Sequence, residues 1–127
     1  MPSAETFHIL VTDRNHHVCS LLRRELKKVG YTVYSVSSAA MADKYLRTYA
    51  PIDLLILDPQ LFHSNDQTLI SEIRRHHAAM QIILHTYKDI LLGLKSTGGI
   101  QQIEKNAESI SALKNAVDSC FRLFSEK

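Results

Sequence analysis

Residues 54–58 read Leu-Leu-Ile-Leu-Asp, a run of four apolar residues that ends on a carboxylate. An uninterrupted apolar run of this length is typical of a parallel β-strand that is buried on both faces. In open α/β sheets, ligands bind beyond the carboxyl ends of the strands, which places Asp58 at the edge where function is expected. Two further strand-like runs are followed or ended by Asp13 and Thr86. We therefore expect these three polar side chains to converge on one rim.

The composition predicts a single globular domain that spans residues 1–127. The chain is 45% hydrophobic and 22% charged, which is enough apolar content for one core. Its 15 Lys and Arg residues against 13 Asp and Glu residues give a formal net charge of +2. This balance argues against nucleic acid or a membrane surface as the main partner. No apolar run approaches the roughly 20 residues of a membrane span, and no signal peptide is recognisable, so we expect a cytoplasmic location.

Strand and helix patterns alternate five times along the chain. The predicted strands are residues 7–12, 31–36, 54–57, 81–85 and 100–103. The predicted helices are about 15–29, a short segment before Pro51, a segment from Ser64 or Asn65 through Ile73, residues 88–95 before Gly98-Gly99, and a closing helix started by Asn106 or Ser109. This alternation predicts a (βα)5 α/β domain with parallel strands and right-handed crossovers.

Four segments, in chain order, resemble the receiver domains of two-component response regulators. Residues 9–14 (Ile-Leu-Val-Thr-Asp-Arg) resemble the first strand with its acidic end, and residues 54–58 resemble the phosphoacceptor strand. Residues 82–86 resemble the strand that ends in the switch Thr or Ser, and Lys105 stands where the family's lysine follows strand five. The resemblance implies a flavodoxin-like, doubly wound parallel five-stranded sheet of order 2-1-3-4-5, with its site at the topological switch point.

The resemblance also implies roles for individual residues. Asp58 would accept a phosphoryl group from a sensor histidine kinase or a phosphotransfer protein, and Asp13, Asp58 and the main-chain carbonyl of Gln60 would hold Mg²⁺. Thr86 would bind a phosphoryl oxygen, and Lys105 would pair with the phosphate. Such chemistry depends on positioning and charge neutralisation. A domain of this kind is not itself an enzyme; it signals by binding a downstream protein, in some cases as a homodimer.

Arg14 is the largest departure from the family pattern, because most receivers carry a second acidic metal ligand at this position. A guanidinium cannot bind Mg²⁺ and is suited to carboxylates. Asp13 and Asp58 carry two negative charges, and Arg14 and Lys105 carry two positive ones, so the pocket is neutral without a divalent ion. We expect Arg14 to face the pocket in place of the metal and Mg²⁺ affinity to be weak or absent. The alternative is that Arg14 points to solvent and Asp13 holds a weaker ion.

Two further positions depart from the pattern around the expected switch. Tyr87 follows the switch threonine, where the family usually has a small residue, so its phenol is expected to crowd access to the acceptor. Gln102 stands three residues before Lys105, where many receivers place the Tyr or Phe that rotates on activation. The usual aromatic relay therefore lacks its moving part.

His85 and the two cysteines have structural interpretations beside functional ones. His85 precedes Thr86 on a buried strand, where it is either a pH-sensitive group beneath the site or a core histidine with a satisfied hydrogen bond, and the second interpretation is preferred. Cys19 and Cys120 fall on apolar stripes of predicted helices, which indicates buried free thiols rather than a disulfide or a metal site.

Three functions remain open at this point. The leading hypothesis is a divergent receiver domain that accepts phosphate on Asp58 with reduced Mg²⁺ dependence. The second is a receiver-like module that docks proteins independently of phosphorylation. The third, a small flavodoxin-like enzyme or cofactor binder, has less support because no Gly-rich phosphate loop and no nucleophile elbow is present in the sequence.

Overall fold

The computed structural model describes residues 3–48, 51–62, 67–93 and 100–126. Within these residues the strands are β1 (His8–Thr12), β2 (Thr32–Val36), β3 (Leu54–Leu57), β4 (Gln81–Thr86) and β5 (Gln101–Glu104). The α-helices are α1 (His16–Val29), α2 (Ala39–Thr48), α3 (Gln67–His76), α4 (Lys88–Gly93) and α5 (Ser109–Ser125). Short 3₁₀ turns cover Ala4–Thr6 and Pro59–Phe62.

The strands form one parallel sheet in the order β2-β1-β3-β4-β5, which confirms the predicted flavodoxin-like topology. β3 lies between β1 and β4, and all four of its residues are fully buried. The central position explains why this strand is apolar throughout, since side chains on both faces meet a layer of helices. From β1, the chain adds β2 on one side and then β3, β4 and β5 on the other. The site predicted at Asp58 therefore lies at the topological switch point between β1 and β3.

Alternate residues of each central strand face two separate cores. On one face, Leu54 and Ile56 pack in a cluster with residues of α1 and α5. On the other face, Leu55 and Leu57 pack in a cluster with residues of α2 and α3. This alternation follows from the two-residue period of a strand. The carboxyl ends of the strands emerge between the two layers.

Local signals fix the start and end of α1, directly after Asp13. The side chain of Asn15 caps the helix by accepting hydrogen bonds from the main-chain N–H groups of His17 and Val18. Gly30 ends the helix with φ of 114°, a left-handed conformation that a residue with a Cβ rarely adopts. Its N–H donates to the carbonyl of Lys27.

Most predicted element boundaries agree with the structure to within one residue. β1, β2 and β5 each begin one residue later than predicted, and β4 extends one residue further to include Thr86. The proposed caps Ser64 and Asn65 and the predicted end of α4 at Gly98-Gly99 lie outside the described residues. Cys19 and Cys120 are free and buried, as predicted. Among the helices in the described ranges, none is long and apolar enough to cross a membrane.

Candidate functional site

The carboxyl edge of the sheet brings together the four polar side chains that the sequence places after its central strands. Asp13 follows β1, Asp58 follows β3, Thr86 ends β4 and Lys105 follows β5. Both aspartates are 1% exposed, and Thr86 is fully buried. A cleft of about 300 Å³ opens above the two acids and Lys105. The predicted convergence on one rim is therefore present.

The ammonium group of Lys105 lies between the two carboxylates. Its Nζ is 2.7 Å from Oδ2 of Asp58 and 2.8 Å from Oδ2 of Asp13. Burial disfavours the charge on Lys105, but the two carboxylates outweigh that cost, so the pKa of Lys105 is raised above its ordinary value. Lys105 is therefore a firmly held cation that offsets the repulsion between two buried acids.

The remaining carboxylate oxygens are fixed by the turns that follow each strand. Oδ1 of Asp13 accepts a hydrogen bond from the N–H of Asn15 at 2.8 Å. Oδ1 of Asp58 accepts one from the N–H of Gln60 at 3.0 Å. Each acid thus uses one oxygen to fold its own loop and the other to hold Lys105. This arrangement sets the orientation of both carboxylates before any ligand binds.

Arg14 lies exposed at the rim of the cleft and reaches across it. Its Nη2 donates a hydrogen bond of 3.0 Å to Oε1 of Gln60. The guanidinium therefore lines the pocket as expected, but its hydrogen-bond partner is an amide. In the part of the chain that the structure describes, Arg14 forms no ion pair with an acid. The positive charge between the carboxylates comes from Lys105 instead.

Tyr87 lies over the other side of the cleft and is 51% exposed. The centre of its ring is 5.3 Å from Nζ of Lys105, a distance at which the ring face attracts a cation. The phenol therefore lies over Lys105 at the mouth of the cleft. Because the phenol stands largely in solvent, it can rotate away without disturbing the core.

Oγ1 of Thr86 is a buried polar atom with no hydrogen-bond partner among the described residues. The carbonyl of Thr86 accepts a hydrogen bond of 2.8 Å from the N–H of Lys105, so this strand end adjoins the residue that supplies the cation. Buried polar groups are nearly always hydrogen-bonded, so an exception beside the cleft indicates a place for a ligand.

Gln102 and His85 occupy the two strands on this side of the sheet. Gln102 is exposed on β5 and pairs in register with Leu84.

His85 is 2% exposed, and its Nε2 lies 3.0 Å from Oγ of Ser109. Burial, and after it the charge of Lys105, lowers the pKa of His85 to about 4. The preferred interpretation of His85 as a hydrogen-bonded core histidine is confirmed.

The sequence model of the response regulator receiver domain family matches residues 9–118. This chain belongs to that family. The match spans all five strands of the receiver domain and most of α5. A comparison with curated proteins found no significant match.

Solved structures of similar fold come from several bacteria. A two-component response regulator from Clostridium difficile has 22% sequence identity and a TM-score of 0.76, covering 91% of this chain and 96% of its own. The signal receiver domain of an HD domain-containing protein from Pseudomonas fluorescens Pf-5 has 20% identity and a TM-score of 0.77, covering 95% and 98%. A response regulator from Thermotoga maritima, solved in complex with Mg²⁺-BeF, has 23% identity and a TM-score of 0.66, covering 90% and 98%. At these identities the likeness concerns the fold.

The donor groups of this receiver domain suit Mg²⁺ in type, although their number is small. Asp13 and Asp58 offer hard carboxylate oxygens. Lys105 stands between them, and Arg14 lines the same cleft. Across the described ranges, no group of three or more His, Cys, Asp or Glu side chains is arranged to hold a metal ion. The two carboxylates therefore fit Mg²⁺ in ligand type.

Sequence reasoning missed the part that Thr12 plays in the receiver domain. Its Oγ1 donates a hydrogen bond of 2.9 Å to the carbonyl of Ile56 and accepts one of 3.2 Å from the N–H of Asp58. The hydroxyl thus joins the ends of β1 and β3 and helps to fix the main chain of Asp58. A threonine at the end of a strand is common as a β-former, so its position alone gave no signal.

Proposed function

We propose that this receiver domain accepts a phosphoryl group on Asp58 from the phosphohistidine of a sensor histidine kinase or a phosphotransfer protein. The signal then passes to a downstream protein through protein–protein contacts. The observation that carries the proposal is the cation held 2.7 Å from the Asp58 carboxylate, beside a strand end where the Thr86 hydroxyl has no hydrogen-bond partner in the described residues. A carboxylate nucleophile, with an ammonium and a hydroxyl to bind phosphoryl oxygens, suits phosphoryl transfer, which depends on positioning and charge neutralisation.

In the proposed transfer, a carboxylate oxygen of Asp58 forms a bond to phosphorus while the P–N bond of phosphohistidine breaks. The electron pair of that bond stays on the imidazole nitrogen, which takes a proton from solvent and leaves as neutral imidazole. The ammonium of Lys105 exchanges its ion pair with Asp58 for one with a phosphoryl oxygen. The Thr86 hydroxyl donates a hydrogen bond to another phosphoryl oxygen. Tyr87 must turn outward to admit the donor, which its 51% exposure permits.

Asp13, Asp58 and the main-chain carbonyl of Gln60 are the groups that would hold Mg²⁺ in this domain. When bound, the ion neutralises charge on the phosphoryl oxygens. Arg14 removes one oxygen ligand and adds a positive charge at the rim. We therefore expect weak Mg²⁺ binding and a reaction that depends on Mg²⁺ less than is usual for a receiver.

Intact-protein mass measurement after incubation with phosphoramidate tests the acceptor, with and without Mg²⁺. We expect one phosphoryl adduct on the wild type and none on Asp58→Asn. Asp43→Asn is the matched control, because Asp43 is an exposed acid on α2 and should leave the adduct unchanged. An adduct that persists in Asp58→Asn would place the phosphate elsewhere and refute the assignment.

Arg14→Asp tests the reason given for weak metal binding. We expect this variant to bind Mg²⁺ at least tenfold more tightly by isothermal titration calorimetry, because it restores a hard oxygen ligand and removes a positive charge. Arg23→Asp on the outer face of α1 makes the same charge change away from the cleft and serves as control. Equal Mg²⁺ affinity in Arg14→Asp and wild type would mean that Arg14 does not limit the site.

A second candidate is a docking module that works without phosphorylation. The observation that favours it is the closure of the acceptor, since Asp58 is 1% exposed beneath Lys105 and Tyr87. This function predicts no adduct under any donor or Mg²⁺ concentration, and partner binding that is equal for wild type and Asp58→Asn. The mass measurement above therefore separates the two candidates.

A further inference from the structure

A chain of hydrogen bonds runs beneath the cleft from β4 to the first turn of α5. The imidazole Nε2 of His85 lies 3.0 Å from Oγ of Ser109, the first residue of α5. The same Oγ lies 3.0 Å from the main-chain carbonyl of Asn106. Asn106 directly follows Lys105, so the chain ends at the residue next to the cation of the site.

The geometry assigns the protons along this chain. A carbonyl oxygen can only accept, so the single hydroxyl proton of Ser109 goes to Asn106. Ser109 must then accept from His85, which makes His85 the neutral tautomer with its proton on Nε2. Nδ1 of His85 is left as a buried acceptor with no donor in the described part of the chain.

Hydrogen bonds with two neighbouring residues of β4 hold the two ends of the segment 105–109, which begins with Lys105. At its start, the N–H of Lys105 donates to the carbonyl of Thr86 at 2.8 Å. At its end, His85 holds Ser109. The main chain of residues 105–109 is therefore held at both ends against one strand.

We propose that His85 is a positioning residue for Lys105, holding through Ser109 the turn from which the ammonium reaches Asp13 and Asp58. The effect on phosphoryl transfer rests on the proposed function, whereas the effect on Lys105 itself does not. No hydrogen-bonding residue is needed here for packing, because the neighbouring positions Ile83 and Ile103 on the same face belong to the apolar core.

His85 acts in this role as a neutral hydrogen-bond donor. The charged groups that act on it are Lys105, Asp13 and Asp58. Burial, and after it the charge of Lys105, lowers its pKa to about 4, while Asp13 and Asp58 act in the opposite direction. The imidazole therefore remains neutral at physiological pH, and its contribution is geometric.

Nuclear magnetic resonance of the Lys105 side chain tests the proposal directly. We compare the ¹⁵Nζ chemical shift of Lys105, and the exchange of its ammonium protons with water at one fixed pH, in wild type, His85→Leu, His85→Gln and Ser109→Ala. We expect His85→Leu and Ser109→Ala to shift the ¹⁵Nζ resonance and to speed the exchange, because the ammonium is held less firmly between the acids. His85→Gln keeps an N–H donor and should restore the wild-type resonance at least in part.

The rate of Asp58 phosphorylation by phosphoramidate is the second measurement. A displacement of about 1 Å at a reacting group can cost on the order of 100-fold, and we expect a loss of about tenfold in His85→Leu and Ser109→Ala. Tyr31→Phe is the control, since it removes a part-buried hydrogen bond at the opposite end of the sheet and should change neither the Lys105 resonance nor the rate.

The two measurements separate failure of this proposal from failure of the proposed function. A Lys105 ¹⁵Nζ shift and ammonium exchange identical to wild type in both His85→Leu and Ser109→Ala overturn the positioning role, whatever the phosphorylation rate. If wild type accepts no phosphate, the proposed function fails and the Lys105 resonance still decides the role of His85. If His85→Leu does not fold, Ser109→Ala removes the same contact with a change of one oxygen atom and decides it alone.

Discussion

At the amino ends of its strands the sheet buries aromatic rings, whereas at the carboxyl ends it buries charged groups. Phe7 precedes β1 and is fully buried. The centroid of its ring lies 5.7 Å from that of Tyr31, 5.5 Å from that of Phe121 and 4.9 Å from that of Phe124. Aromatic contacts of this kind stabilise beyond the area they bury. The polar groups at this end are paired, as in the 2.6 Å hydrogen bond from Tyr31 to Asp118.

The carboxyl end is built in the opposite way. Nδ1 of His85 and Oγ1 of Thr86 lie here, two buried atoms that lack a hydrogen-bond partner in the described residues, and Oδ2 of Asp13 has only its ion pair with Lys105. Unpaired buried polar atoms cost free energy that a stable fold alone would not require. The comparison teaches that one end of the sheet is arranged for stability and the other for a ligand. Substitutions at the two ends should therefore have different consequences.

Phe7→Ala is the substitution with the largest expected effect on stability. Removing a fully buried phenylalanine typically costs 3–5 kcal/mol, and we expect a loss of about 4 kcal/mol in the free energy of unfolding in urea. Leu123→Ala, at a position that is 56% exposed, is the control and should cost less than about 0.5 kcal/mol. Phosphorylation of the protein that remains folded should be unchanged; a slower reaction would mean that the two ends of the sheet are coupled.

Acid should destabilise the carboxyl end through His85. The unfolded chain takes up a proton near the ordinary pKa of 6.5, whereas the folded protein does so only near 4. The stability that neutral His85 contributes is therefore fully present above pH 6.5 and is lost as the pH falls from about 6.5 to about 4. Below pH 4 this contribution does not change further. The difference corresponds to about 3 kcal/mol.

Urea unfolding of wild type and His85→Gln between pH 7 and pH 4 measures this effect. We expect the slope of unfolding free energy against pH to be markedly flatter in His85→Gln, because glutamine does not titrate. Equal slopes in the two proteins would show that His85 is protonated in the folded state as easily as in the unfolded chain.

The topology and the four site positions could be predicted from the sequence because each depends on a local pattern. Apolar runs mark the strands, and a parallel sheet necessarily brings their carboxyl ends to one edge. The partners of individual side chains could not be predicted in the same way. Arg14 was expected to neutralise the acids, but whether a guanidinium turns toward a carboxylate or toward Gln60 depends on loop geometry that no spacing encodes.

The hydrogen bond between His85 and Ser109 is a second case in which the sequence does not identify the partner of a side chain. The sequence indicated that His85 is a core residue with a partner, because it lies on a buried strand beside Thr86. It did not indicate which partner, since 24 positions separate His85 from Ser109. Contacts between elements depend on how the helices pack on the sheet, and periodicity within one element does not report that packing.

Lys105→Met tests how much the buried cation stabilises the carboxyl end of the sheet. Removing the cation leaves two buried carboxylates without their shared partner, and removal of one member of a fully buried ion pair costs about 3–5 kcal/mol. Lys105 retains 12% side-chain exposure, so we expect about 2 kcal/mol by urea unfolding at pH 7. Adding Asp58→Asn should recover most of this loss, because a single acid remains. Full additivity of the two substitutions would argue against their electrostatic coupling.

Tyr31→Phe has the smallest expected effect and tests whether the aromatic end depends on its polar bond or on its rings. Burial and the Asp118 carboxylate raise the pKa of Tyr31, so the phenol remains the donor in this bond. Phenylalanine keeps the ring contacts with Phe7 and Phe121, and Asp118 is only half-buried and can bind water instead. We expect a loss of about 1 kcal/mol in urea unfolding. A loss as large as that in Phe7→Ala would mean that the amino end, like the carboxyl end, depends on a buried polar group.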